Sequence, residues 1–205
     1  ALAIITIFYM IRHHQNFDYD FFKTIDLTQY RVFGGYPRLH DTKRNRWHKF
    51  LQFETSNQSN KTFMNEQLTK AVDFVNQSFN HYIVDFKWHS KFKVAEIITE
   101  YLGGVAYSEL KPLSLDTQHL VVEHIVQKVQ QTYPYVHDDT TTNVLVNKKL
   151  QIKWIDHDRV IRRFVDQQVI PINDYKKSYL NQFRSCIEDF DYEFFEQMWN
   201  KYCRF

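Results

Sequence analysis

Glycine and proline are scarce, with four of each among 205 residues. So little punctuation excludes a collagen-like repeat and a Gly- or Pro-rich flexible linker, and no low-complexity stretch interrupts the chain. Cysteine is scarcer, with Cys186 and Cys203 alone. Two thiols do not make the disulfide framework of a small secreted domain, which fits a reducing, cytoplasmic setting. Net charge is nearly absent at +2. That is too little to argue for a nucleic acid partner, which calls for a strongly basic surface. Long hydrophobic runs are also missing. The apolar start, ALAIITIFYMI at residues 1–11, lacks a basic leader and a small-residue cleavage site and is too short to span a bilayer. It reads as a buried first helix or strand, and no stable membrane insertion is expected. Several catalytic signatures are absent too: no H-E-x-x-H pair, no G-x-S-x-G elbow, and no local signature around either cysteine.

What is present is apolar and aromatic, at 43% and 17% of residues. That places the chain among globular proteins, long enough for one good core or two small lobes. Residues 1–25 read as a helical extension. YRVFGGYPRL (30–39) reads as strand, turn and strand, with Gly34 and Gly35 free to take the positive φ of a tight turn. RWHKFLQFE (46–54) alternates as a strand, and TSNQSN (55–60) is a polar loop. Residues 61–79 carry apolar side chains at 64, 68, 71, 72 and 75, the period of an amphipathic helix. Strands are predicted at 81–88 and 93–102, and a long helix at 115–133 capped by Ser114 or Asp116. A second helical pattern covers 173–203. Segregated strands and helices predict an α+β fold and not a doubly wound sheet.

The stretch VHDDTTTNVLVNKKLQIKWIDHDRV (136–160) carries the chemistry. VLV (144–146) and IKWI (152–155) alternate with polar neighbours around the turn residues 147–149, which predicts a β-hairpin. Asp138 and Asn143 precede its first strand and Asp156 follows its second, so the hairpin would gather all three at one end. Two oxygen ligands suit Mg²⁺, which takes few protein ligands and leaves the rest to water and phosphate. A third carboxylate would then orient a hydroxyl. The structural alternative is that Asp138, Asp139 and Asn143 only cap a turn.

This order of Asp, Asn and Asp resembles the catalytic loop and metal segment of the protein-kinase-like fold. IDHD (155–158) is most similar to the aminoglycoside phosphotransferase and choline kinase branch, which phosphorylates small hydroxylated molecules. The resemblance implies two lobes: residues 1–102, strand-rich, and 103–205, compact and helical around the hairpin. It implies ATP and Mg²⁺ as cofactors and a small hydroxylated substrate as partner. Asp138 would be catalytic, while Asn143 and Asp156 would hold the metal. Two registers stay open. Anchoring on Asn143 selects Asp138, whereas anchoring on His137, two residues before the catalytic Asp as in the family, selects Asp139.

On the nucleotide side, the resemblance implies phosphate contact at Gly34 and Gly35, a strand Lys at Lys49 paired with Glu66 on the 61–79 helix, and adenine contact at the hinge-like Glu100, Tyr101 and Leu102. A gap-free comparison places the uncharged Gln52 at the Lys position instead, so a pseudoenzyme retaining the fold as a nucleotide-binding or scaffold module is the alternative reading. The basic cluster at 43–46 reads as surface, and the one at 159–163 as phosphate- or substrate-facing. His13, His14 and His48 read as surface. The aromatic stripe Phe190, Tyr192, Phe194, Phe195 and Trp199 reads as core, with a cage for a cationic substrate as its alternative.

Overall fold

A computed structural model describes residues 19–26, 30–33, 38–53, 60–110 and 112–204. Gly34, Gly35, His13, His14 and nearly all of the predicted N-terminal extension lie outside the described residues. The chain divides into two compact units, Ala1–Val72 with His81–Tyr101, and Asp73–Asn80 with Leu102–Phe205. The fold is α+β, as the segregation of strands and helices predicts: two antiparallel sheets with helices.

The first unit holds a five-stranded sheet in the order β1-β2-β3-β5-β4. Its strands are β1 (Tyr30–Phe33), β2 (Arg38–Asp41), β3 (Arg46–Gln52), β4 (Ile83–His89) and β5 (Val94–Glu100), all paired antiparallel. β3 buries His48, Phe50 and Leu51 and leaves Arg46, Trp47, Lys49 and Gln52 partly exposed, close to the alternation of a half-buried strand. The single-turn helix α1 (Tyr19–Phe22) sets Phe21 edge-on against Phe50 and Phe92. Helix α2 (Lys61–Ser78) buries Met64, Leu68, Ala71, Val72 and Val75, the face read from their spacing. Its last residues, from Asp73 on, belong to the second unit.

In the second unit a three-stranded sheet runs β6 (Val105–Ala106), β7 (Val144–Val146), β8 (Ile152–Trp154). Four helices surround it: α3 (Leu115–Thr132), α4 (Asp158–Asp166), α5 (Ile172–Cys186) and α6 (Tyr192–Tyr202). The Ser114 hydroxyl accepts from the Thr117 N–H and caps α3, so of the two candidate caps Ser114 does the work. Asp191 caps α6 the same way through Phe194. α3 packs on α6, and Val121, Ile125, Tyr179, Phe183, Phe195 and Trp199 share one core. The aromatic stripe is therefore largely core. Tyr192 is its outward member, with the Arg184 guanidinium 5.1 Å from its ring centre.

Three features depart from the sequence reading. β6 and the 3-10 turn that follows it at Tyr107–Glu109 fall where no element was expected. α4 was not expected either, although Val160, Ile161, Phe164 and Val165 have helical spacing; the charges at 158, 159, 162, 163 and 166 hide it. His48 was expected at the surface and is buried. Its Nδ1 lies 2.7 Å from Glu96 Oε1, and His89 Nε2 lies 2.9 Å from the other oxygen of that carboxylate. An acidic partner on the directly paired strand β5 makes burial of this imidazole acceptable.

Candidate functional site

The predicted hairpin exists, with Val144 opposite Trp154 and Val146 opposite Ile152. Asn147 makes its turn: the side-chain oxygen accepts from the Lys149 and Gln151 N–H groups, and Leu150 takes the left-handed conformation at φ 57°. At the open end the pairing continues one step, with Ile155 N–H donating to the Asn143 carbonyl at 2.9 Å. Asp156 follows directly in the left-handed region, φ 61°. For a non-glycine residue that conformation is uncommon, and it turns the chain sharply into α4.

His137 ties the loop before β7 to the segment after β8. Its Nε2 lies 3.0 Å from the Ile155 carbonyl and 2.9 Å from the Asp156 carbonyl, while Nδ1 accepts from the Asp139 N–H at 3.3 Å. Only a neutral ring protonated on Nε2 satisfies both sides. Burial favours that form, pushing the imidazole below its ordinary value against the pull of Asp138 and of the two carbonyls. The ring sits among Phe79, Trp154 and His157.

Asp138 and Asp139 have different surroundings. Asp138 Oδ2 accepts from Arg159 at 2.7 Å and from Arg163 at 2.8 Å. Burial raises its carboxyl, but the Arg159 hydrogen bond and both guanidinium charges outweigh it and hold the group below the usual range. Arg163 is itself buried and donates also to the Val136 carbonyl and the Tyr175 hydroxyl. The basic cluster expected to face phosphate or substrate thus neutralises Asp138. Asp139, partly exposed, accepts at Oδ1 from the Thr141 N–H at 3.2 Å and its hydroxyl at 2.9 Å. Among the described residues its Oδ2 accepts no hydrogen bond.

Helix α5 holds this loop from behind. Tyr175, Tyr179 and Gln182 fall on one face by their spacing of four and three. Tyr175 donates to the Val136 carbonyl, Tyr179 to the His137 carbonyl, and Gln182 to the Asp138 carbonyl. Gln182 Oε1 also accepts from the Thr140 N–H and hydroxyl, each at 2.8 Å. Tyr107 closes the network on Thr140, its phenol pushed up by burial and hence protonated. The aromatic and helical spacing in α5 was legible as a face, but nothing in the pattern tied that face to the loop.

The nucleotide-side residues lie in or next to the first unit. Lys49 is in β3, opposite Arg38 and Ile97. Gln52 is the last residue of β3, opposite Val94. Glu66 on α2 is exposed and, among the described residues, in no ion pair, so no Lys49–Glu66 pair forms. Glu100 ends β5, and its N–H donates to the Tyr82 carbonyl at 2.9 Å. Tyr101 is 58% exposed, and Leu102 begins the second unit. Asn143 and Asp156 stand next to one another through the Asn143–Ile155 backbone bond. Among the described residues no cluster of three or more His, Cys, Asp or Glu side chains could hold a metal alone, and no helix is long and apolar enough to cross a membrane.

No protein-family model matches the chain, and a search of curated proteins finds none similar in sequence.

Proposed function

We propose that this chain is a small-molecule kinase of the protein-kinase-like fold, similar to the aminoglycoside phosphotransferase and choline kinase family. It would move the γ-phosphoryl group of ATP to a hydroxyl of a small, soluble substrate. The observation that carries the reading is the contrast between two adjacent carboxylates. Asp138 is paired with two guanidinium groups, while Asp139, among the described residues, stands in no ion pair beside a loop backbone clamped on both sides. The register anchored on His137 is therefore favoured over the one that selects Asp138. Asp139 would orient the attacking hydroxyl and take up its proton, a role worth about 10²–10⁴ in rate. Phosphoryl transfer asks the protein mainly for positioning and charge neutralisation.

Asn143 and Asp156 would hold Mg²⁺, which when bound neutralises charge on the phosphates. One amide oxygen and one carboxylate, carried by residues whose backbones are neighbours at the end of the hairpin, would suit an ion that keeps most of its ligands as water and phosphate. Lys49 is the proposed phosphate cation, and the backbone at residues 100–102 the proposed adenine partner. The test is ATP consumption across a panel of hydroxylated small molecules, choline among them. Asp139→Asn and Asp156→Ala are expected to lower turnover at least about 100-fold. Full turnover in both variants rejects the assignment.

Glu66 supports a second reading, a nucleotide-binding module without transfer. Glu66, exposed and in no ion pair among the described residues, does not supply the carboxylate that orders the strand Lys in that family. Calorimetry with MgATP that shows binding without ATP consumption under any condition favours that reading.

A further inference from the structure

We propose that Gln182 is a positioning residue that sets the direction of the Asp139 carboxylate. Its amide grips the backbone on both sides of that residue: Nε2 donates to the Asp138 carbonyl at 2.6 Å, and Oε1 accepts from the Thr140 N–H at 2.8 Å. A side-chain amide is the one short group that offers a donor and an acceptor in a fixed fork. The two peptide groups it fixes are those whose rotation would swing the Asp139 side chain. Gln182 is steadied in turn by the Ser178 hydroxyl, 3.0 Å from Nε2, and its oxygen takes a second bond from the buried Thr140 hydroxyl. The neighbouring anchors Tyr175 and Tyr179 act on Val136 and His137 and do not reach past Asp138. Among the described residues, Gln182 is the side chain that bridges Asp139.

The kinetic arm of the test rests on the phosphotransfer reading; the spectroscopic arm does not. Gln182→Ala removes both grips. Gln182→Glu keeps the acceptor for Thr140 and loses the donor to Asp138, and it serves if the alanine variant does not fold. In an active enzyme, Gln182→Ala is expected to lower kcat roughly 10- to 100-fold, as a misplacement of about 1 Å does, with KM for MgATP changed less than about twofold. Gln182→Glu should fall between the two. Amide hydrogen exchange should speed up at residues 139–141 in Gln182→Ala, with partial protection of the Thr140 N–H in Gln182→Glu. If the wild-type protein turns over no substrate, the phosphotransfer reading fails and the exchange pattern still decides the positioning claim. Unchanged exchange at 139–141, or protection lost across the whole second unit with kcat and KM moving together, overturns it.

Discussion

Two imidazoles in the second unit, His137 buried and His124 half-buried, are held neutral, and each depends on staying so. His124 accepts at Nε2 from the Trp154 indole N–H at 3.0 Å, and burial followed by the Lys128 charge pushes it down to about 4. His137 is depressed by burial as well. Because the folded values lie below the unfolded value of about 6.5, the unfolded chain binds more protons as acid is added. Their stability contribution is in place above about pH 6.5 and is lost as pH falls through the folded values. For His124 the loss is about 3 kcal/mol between pH 6.5 and 4. Thermal melts of His124→Gln, whose amide oxygen can still accept from Trp154, should show a flatter fall over that window than the wild type. Asp138 acts lower on the scale. Its carboxyl is held below its ordinary value, so its ion pairs stabilise above about pH 4 and are lost on further acidification. Asp138→Ala strands the buried Arg163 guanidinium and should cost about 3 kcal/mol at pH 7, with the gap to wild type closing in strong acid.

At the level of elements, the hairpin was legible because alternation, a turn of Asn and Lys, and flanking Asp and Asn all pointed the same way. The α2 and α3 faces were legible for a similar reason, since one period of apolar residues ran through each. α4 was not, because in DRVIRRFVD the buried partner of its arginines is a carboxylate twenty-odd positions away, and pattern reading treats such charges as solvated. Asp138, Asn143 and Asp156 border the open end of the hairpin as their spacing implies, but which of two adjacent aspartates is ion-paired depends on arginines of α4 that the pattern leaves hidden. β6 depends on a backbone feature that spacing does not reveal. Gly104 enters it at φ 149°, and a Cβ there would lie 2.9 Å from the Leu145 Cβ. Gly104→Ala should therefore destabilise by about 1–3 kcal/mol. Gly103→Ala, with nothing within 4 Å of its added Cβ, should stay within about 0.5 kcal/mol in chemical denaturation.

For the molecule as a whole, order along the chain and order in space are different. Asp73–Asn80 is followed in sequence by two strands of the first unit, yet it packs with the second. Phe79 meets Trp154 and His157, and Asn80 accepts from the Trp154 N–H at 2.7 Å. Asn80→Ala should cost about 1–3 kcal/mol by leaving that N–H unsatisfied. Hydrogen exchange should show the loss in β7 and β8, while the β3–β5 ladder keeps its protection. The same displacement governs the loop of Asp139. The α5 side chains that grip it, from Tyr175 to Gln182, are spelled out some forty residues later. A ribosome making this protein joins every residue of the loop before it adds the clamp. The loop proposed to do chemistry thus waits for α5, and a nascent chain that ends short of Gln182 has the aspartates without the aim.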